Sequence, residues 1–217
     1  NIDNVNAGKT LFELYDLTGK EKYRRAMDTV YSQLKEQPRT STGNFWHKKI
    51  YPHQIWLDGL YMAQPFYMQY EAEYNGCKNC EDSYQQFLQV YGRMRDPLNG
   101  LYYHAYDDSR QMFWCDKVTG LSENFWLRAM GWYAMALIDT MEVMPESMAC
   151  QKARLNAIYK ELIDAMLPYQ DQATGMWYQV VNRGGIAPNY LEESGSAIFA
   201  YAIMKSVRLH YLPQEYF

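Results

Sequence analysis

The chain has no block of like charge and no long hydrophobic run. Its 217 residues carry 21 lysines and arginines against 25 aspartates and glutamates, for a formal net charge of -4. This balance offers no basic surface to nucleic acid, so we expect no nucleic-acid partner, although a single acidic sugar still fits a local pocket. No apolar stretch approaches the length of a membrane span and residue 1 opens no signal-peptide pattern, so we expect no membrane partner.

Cysteine is also scarce, with four residues in the chain. Cys77 and Cys80 have the spacing of a redox motif or of half a zinc site, but no second such pair and no paired histidines follow. We therefore predict no metal site. Two alternatives stay open for the cysteines. A local disulfide fits a bacterial periplasm, and four free thiols fit a bacterial cytoplasm.

Aromatic residues, in contrast, are abundant: the chain has 21 tyrosines and six tryptophans. In residues 51–62, Asp58 lies among tryptophan, leucine and tyrosine, and a glycine follows it directly. A carboxyl group close to aromatic rings and away from bulk water releases its proton less readily, which suits a general acid near neutral pH. Aromatic faces beside a proton donor suggest a sugar site. The alternative is that Asp58 anchors a helix and the rings belong to the core.

The sequence repeats a short pattern of glycine, any residue, two aromatic residues, and histidine or glutamine. It occurs at residues 43–47, 100–104 and 175–179, each time after a polar turn. An apolar helix is predicted after each copy, at residues 56–70, 125–141 and 190–207. Amphipathic helices are predicted between the copies, at residues 20–36, 81–95 and 147–167, and an opening helix at residues 1–15. Apolar helices are expected inside and half-polar ones outside.

This alternation predicts an all-α fold, an α/α toroid of helical hairpins whose inner helices surround a cavity. The aromatic loops open at one end of the inner helices, so Asp58, His104 and Arg128 are expected on a common rim. The rival fold is a right-handed helical solenoid. We expect residues 1–217 to form one catalytic domain, and a fragment that lacks N- and C-terminal helices, because three repeats make only part of a ring of six hairpins.

Five segments together resemble family 105 of the glycoside hydrolases, the unsaturated rhamnogalacturonyl hydrolases, which are related to the unsaturated glucuronyl hydrolases of family 88. The segments are residues 43–49, 51–62, 100–107, 125–133 and 193–196. The resemblance implies an (α/α)6 barrel without a cofactor. Its substrate is implied to be a pectin-derived oligosaccharide with a 4,5-unsaturated galacturonyl end. The implied chemistry is hydration of that double bond and release of the neighbouring sugar, which is rhamnose in rhamnogalacturonan fragments.

Matched onto the family motifs, Asp58 is the implied catalytic acid and base, and Asp3 is a second active-site aspartate. A second carboxylate also suits positive charge that develops on the sugar ring. The implied substrate-binding residues are His104, Arg128, Trp126, Trp132, His47, Gln54, Trp56 and Trp177. Structural alternatives remain: Asp3 as a helix N-cap, His104 bonded within the rim, and Trp132 in the core. A buried Arg128 needs a partner or a ligand, and a structural aspartate such as Asp139 or Asp116 is an alternative partner.

Other functions remain open on sequence grounds. An inverting glycosidase needs two carboxylates that flank a glycosidic bond, a role in which Asp3 and Asp58 also fit. A non-catalytic sugar-binding relative needs the aromatic residues and Arg128 but no acid. A helical protein-interaction scaffold explains neither the glycine-aromatic loops nor Asp58. The leaving-side sugar, the oligosaccharide length and the oligomeric state do not follow from the sequence.

Overall fold

The fold is an arc of alternating inner and outer helices, and the computed structural model describes residues 1–216. A 3-10 helix, Ile2–Gly8, opens the chain. The α-helices of this part are α1 (Lys9–Thr18), α2 (Glu21–Lys35), α3 (Leu57–Tyr74), α4 (Cys80–Met94), α5 (Leu127–Val143), α6 (Ala149–Met166) and α7 (Glu193–Arg208). Two short strands, β1 (Gln54–Trp56) and β2 (Ala105–Asp107), pair antiparallel.

The inner helices pack side by side. Helix α3 lies between the opening 3-10 helix and α5, and α5 lies between α3 and α7. The outer helices α4 and α6 lie against α3 and α5 respectively, and also touch each other. Many residues of α3 and α5 are fully buried around most of the helix circumference, whereas α2 and α4 bury one face. The predicted α/α toroid architecture is confirmed.

The predicted opening helix over residues 1–15 was wrong in its first half. Residues 2–8 form a 3-10 helix, and the α-helix begins only at Lys9 and ends at Thr18. Asparagine side chains compete with helical hydrogen bonds, and the Asn1 side chain accepts a hydrogen bond from the Asp3 amide. At Gly8, an added Cβ would lie 2.8 Å from the Phe66 ring, so this segment passes too close to α3 for a side chain.

The repeated glycines occupy equivalent turns. Gly43, Gly100 and Gly175 all have φ between 71° and 98°, the left-handed conformation that favours glycine. In each turn the glycine amide donates to a carbonyl three or four residues earlier, with N–O distances of 2.8 to 3.0 Å. A fourth turn, from Asp116 to Gly120, has the same hydrogen bonds. The pattern of aromatic residues did not reveal it, because Leu121 and Ser122 follow this glycine instead.

Pro65 lies inside α3 and creates a special contact at the inner wall. Proline has no amide hydrogen, so the carbonyl of Tyr61, four residues earlier, lacks its helical donor. The Lys9 ammonium lies 3.3 Å from this carbonyl oxygen and 3.3 Å from the centre of the Tyr61 ring. Burial lowers the pKa of Lys9 to about 8, against the opposing effect of Asp139. Lys9 therefore ties α1 to α3 at the turn before Pro65.

A disulfide joins Cys77, in the turn before α4, to Cys80, the first residue of α4, with their Cα atoms 5.0 Å apart, while Cys115 and Cys150 are free thiols. This is the first of the two arrangements considered from the sequence. No helix within residues 1–216 is long and apolar enough to cross a membrane.

Candidate active site

Asp58 lies in the first turn of α3, directly after β1, and its side chain is 18% exposed. Its Oδ2 atom is 3.2 Å from Nε2 of His104. The two groups are not aligned for a hydrogen bond, and neither atom has another partner within residues 1–216. A buried carboxylate oxygen without a partner is costly, which favours a role in binding or chemistry.

The two strands bring His104 to Asp58. Their register pairs Trp56 with Ala105, so the residues just beyond the pair, Leu57 and His104, also face each other. The Leu57 amide donates to the His104 carbonyl at 3.1 Å. This hydrogen bond links the start of the inner helix to the neighbouring repeat.

The glycine after Asp58 leaves room for His47. A Cβ atom on Gly59 would lie 2.8 Å from Nδ1 of His47 and 2.9 Å from Ile2. The His47 side chain is 4% exposed, and burial lowers its pKa to about 4 despite the opposing effects of Asp3 and Asp58. His47 is therefore neutral near pH 7.

Asp3 joins the same group of side chains from the opening 3-10 helix. Its Oδ1 atom lies 3.4 Å from Nε2 of His47, and its Oδ2 atom lies 2.7 Å from the ammonium of Lys48. The hydrogen bond to Asp3 raises the pKa of Lys48. Sequence reasoning missed Lys48, although it lies next to His47 in the first aromatic loop. The only available signal was its place inside a matched motif.

Trp56 forms an aromatic wall beside the two aspartates. Its ring stacks between His47, with centroids 4.9 Å apart, and Tyr51, with centroids 5.2 Å apart. The indole NH donates to Oε1 of Gln54 at 2.9 Å. His104 meets the edge of Trp56 at 5.2 Å. These contacts leave Trp56 little freedom to rotate.

Trp126 and Arg128 extend this wall towards α5. The Trp126 ring lies 4.7 Å from the His104 ring and 4.7 Å from the Arg128 guanidinium. Arg128 lies 3.5 Å from Oε1 of Glu192 and 3.1 Å from the Ser194 hydroxyl at the start of α7. Three inner helices therefore contribute to one rim.

Arg128 has a partner, as expected, but neither Asp139 nor Asp116, the structural alternatives considered, is that partner. The Arg128 side chain is 40% exposed and its partner is Glu192. Asp139 lies more than two helical turns further along α5, where Lys205 binds it at 2.8 Å. Asp116 accepts hydrogen bonds from Val118 and Thr119 in its own turn.

The structure does not bring all candidates to the rim. Trp177 is 3% exposed, and its indole NH donates to the Met166 carbonyl at 2.9 Å. It packs on Phe199 in the core and has no surface to offer a sugar. Trp132 lies one turn below Arg128, half-buried, with its ring 5.0 Å from Tyr61.

A cleft of about 840 Å³ opens outward from His104 and the aromatic wall. Its lining includes four of the predicted residues: Gln54, Trp56, His104 and Trp126. Further lining residues that the sequence did not single out are Tyr51, Met112, Phe113, Trp114, Asn124 and Gln179. The adjacent aromatic pair Phe113 and Trp114, between two polar turns, was an unused signal. Within residues 1–216, no group of three or more histidine, cysteine, aspartate or glutamate side chains is arranged to hold a metal ion.

Comparison with known proteins shows which family the chain belongs to. The family model described as Glycosyl Hydrolase Family 88 matches residues 1–217. The chain belongs to glycosyl hydrolase family 88. A family 105 glycoside hydrolase of C. acetobutylicum ATCC 824 is 48% identical and superposes with a TM-score of 0.95, over 99% of this chain and 59% of that structure. The predicted relationship to families 105 and 88 is therefore confirmed.

Two curated relatives extend the comparison of this family 88 member. Protein Atu3128 of Agrobacterium fabrum is 38% identical over 154 residues, which is 71% of this chain and 64% of the relative. The unsaturated rhamnogalacturonyl hydrolase YesR of Bacillus subtilis is 29% identical over 96% of this chain and 59% of the relative. The chain thus spans about three fifths of the length of the relatives that it matches.

Proposed function

We propose that this family 88 member hydrolyses oligosaccharides that end in a 4,5-unsaturated galacturonyl residue, with rhamnose as the leaving sugar. The observation that carries the proposal is the unpartnered, buried Oδ2 atom of Asp58, 3.2 Å from His104, which lines an aromatic cleft. Aromatic rings suit the apolar faces of sugars, and the carboxyl group suits proton transfer. The leaving sugar is supported by the likeness to YesR.

In the proposed reaction, the Asp58 carboxyl group gives its proton to C4 of the substrate. The double bond between C4 and C5 is consumed, and positive charge develops on C5 and the ring oxygen. A water molecule then bonds to C5 and returns one proton to the Asp58 carboxylate. The resulting hemiketal opens its ring to a C5 ketone, and the hemiacetal left at C1 releases the neighbouring sugar as an alcohol. One water is added overall, and Asp58 is regenerated.

The surrounding charges support this path. Asp3 shares the His47 environment with Asp58, so its negative charge lies close enough to favour positive charge on the ring. Arg128 offers a planar donor pair to the substrate carboxylate, because one face of its guanidinium covers Trp126 and 40% of the side chain is exposed. We assign these roles to one catalytic domain, since the elements that carry Asp3, Asp58 and Arg128 pack side by side in one arc.

The test follows the ultraviolet absorption of the double bond in an unsaturated galacturonyl-rhamnose disaccharide. The parent chain is expected to remove this absorption, and Asp58→Asn to slow its loss by about 10²- to 10⁴-fold with the thermal midpoint retained. Sugar release with the absorption intact would indicate an inverting glycosidase. Binding of the disaccharide without turnover in the parent would indicate a non-catalytic relative.

A further inference from the structure

The loop after β2 carries an aromatic segment, Met112 to Trp114, that has no part in the proposed chemistry. Phe113 is 90% exposed, yet it lines the cleft together with Met112 and Trp114. The same cleft reaches Trp56 and His104 at its inner end. An exposed phenylalanine beside further apolar rings forms a patch of the kind that binds a partner or ligand.

This segment is held in place by a buried carboxylate. The side chain of Asp107, at the end of β2, accepts hydrogen bonds from the amides of Ser109, Gln111 and Met112 at 2.8 to 3.0 Å. Burial raises the pKa of Asp107, but these hydrogen bonds outweigh it and the pKa lies below its usual range. The backbone that presents Phe113 is therefore fixed before any ligand arrives.

Two further contacts fix the ends of the loop. At its start, Asp108 accepts hydrogen bonds from the amide and hydroxyl of Ser41, at 2.8 and 3.0 Å, in the turn of the preceding repeat. At its return, Gly120 has φ +81°, and an added Cβ would lie 2.6 Å from the Asp107 carbonyl oxygen. A rigid binding surface loses less conformational entropy when it takes up a ligand.

The charge of the cleft restricts what it can hold. Among the described residues that line it there is no lysine or arginine, and its one carboxylate belongs to Glu123. The guanidinium of Arg183, outside the lining, lies 3.8 Å from Glu123 at the exposed rim. The polar groups that remain are uncharged, mainly those of Gln54, Asn124 and Gln179. A second carboxylate on a ligand would find no free cation in this cleft, whereas a neutral sugar would find hydrogen-bonding partners.

We propose that Phe113 and Trp114 form a binding subsite for a neutral sugar on the leaving side of the cleaved bond. The inference rests on the proposed function, because His104 lines the cleft and lies 3.2 Å from Asp58, the proposed acid, and so locates the cleaved bond at that end. The unsaturated uronyl end is bound among Asp58, His104 and Arg128. The next sugar extends outward along the cleft, with one apolar face on the rings of residues 113 and 114. This subsite selects an uncharged leaving sugar and discriminates against a second uronic acid.

The experiment measures dissociation constants by calorimetry in the Asp58→Asn background, so that no ligand is turned over. Three ligands share the unsaturated galacturonyl end: a methyl glycoside, the rhamnose disaccharide and the galacturonate disaccharide. We expect the rhamnose disaccharide to bind more tightly than the methyl glycoside, and Phe113→Ala or Trp114→Ala to reduce this advantage by about tenfold. The galacturonate disaccharide is expected to bind no more tightly than the methyl glycoside.

Leu98→Ala is the matched control, because Leu98 is 93% exposed on a different turn and does not line the cleft. It is expected to leave all three constants as they are. The subsite is refuted if both aromatic variants keep the advantage of the rhamnose disaccharide, if the galacturonate disaccharide gains equally, or if no ligand binds. Failure of the proposed function has a different result. The parent chain, which keeps Asp58, then leaves the double-bond absorption of the disaccharide unchanged, whatever the dissociation constants are.

Discussion

Nε2 of His104 lies 3.2 Å from Oδ2 of Asp58, and the two atoms share no aligned hydrogen bond. The contact joins two repeats of the toroid, since Asp58 lies in the first turn of α3 and His104 directly precedes β2. Trp56 and Trp126 each meet the histidine ring in an edge-on arrangement and restrict its rotation. We infer that His104 positions the acid and the substrate together.

Substitution of His104 is expected to reduce turnover. We predict that His104→Ala lowers kcat by about 10²-fold, because a shift of about 1 Å at a reacting group has an effect of that size. His104→Gln keeps a hydrogen-bond donor and is expected to lose less. The measurement is the rate at which the double-bond absorption disappears under saturating substrate. A rise in KM with kcat unchanged would show that His104 contributes equally to binding of the substrate and of the transition state, and not to positioning for the chemical step.

Asp3 and Lys48 can be separated by a pair of variants. If Asp3 stabilises developing positive charge, Asp3→Asn should lower kcat at least tenfold, whereas Lys48→Met, which removes the cation that Asp3 binds at 2.7 Å, should not. The comparison uses kcat and KM on the same substrate for both variants. Similar losses for the two would mean that the ion pair itself matters and that Asp3 has a structural role.

The space beside Gly59 gives a prediction for stability. Gly59→Ala places a methyl group 2.8 Å from Nδ1 of His47, so we expect a loss of about 1–3 kcal/mol in the free energy of unfolding and a fall in kcat. The matched control is Gly92→Ala in α4, where nothing lies within 4 Å of the added Cβ. That variant is expected to be neutral or to gain up to about 1 kcal/mol. The free energies of unfolding of the two variants are compared by chemical denaturation, with one shared dependence on denaturant concentration. Equal changes in Gly59→Ala and Gly92→Ala would contradict the close packing of Gly59 against His47.

The buried, neutral His47 makes stability depend on pH. The unfolded chain binds a proton at this residue below about pH 6.5, but the folded chain does so only below about pH 4. Stability from this group is therefore complete above pH 6.5 and is lost as the pH falls to 4, by up to about 3 kcal/mol. Denaturation at several pH values should show a shallower fall in His47→Gln than in the parent. Parallel curves would mean that His47 is not the group responsible.

The sequence predicted the helices well because their periodicity is a local property. Residues 81–95 and 147–167 were predicted as helices and form α4 and α6 within two residues at each end. The repeated glycine turns identified the loops for the same reason, since positive φ restricts the residue type. The 3-10 helix at the start was missed, because it depends on the close approach of Gly8 to Phe66, which lies far away in the sequence.

The site was predicted less completely, since its contacts join distant segments. Asp58, His104 and Trp56 meet because two three-residue strands pair, and such short strands give almost no periodic signal. The partner of Arg128 was not predicted for a related reason. Glu192 lies 64 residues away in the sequence, and its position depends on where α7 begins. Trp177 has the same place in its aromatic loop as Phe45 and Tyr102 have in theirs, and all three are buried, which the shared pattern of aromatic residues did not reveal.

The division of labour between helix and loop has an evolutionary consequence. Asp58 lies on the first turn of an inner helix, where Gly59 and His47 allow little change, whereas the outer cleft is built by a loop whose own aspartates hold its shape. If the proposed function holds, insertions or replacements between residues 109 and 119 would therefore alter the outer cleft without displacing Asp58. Related proteins could therefore differ in the loop that lines the cleft and still share the segment around Asp58.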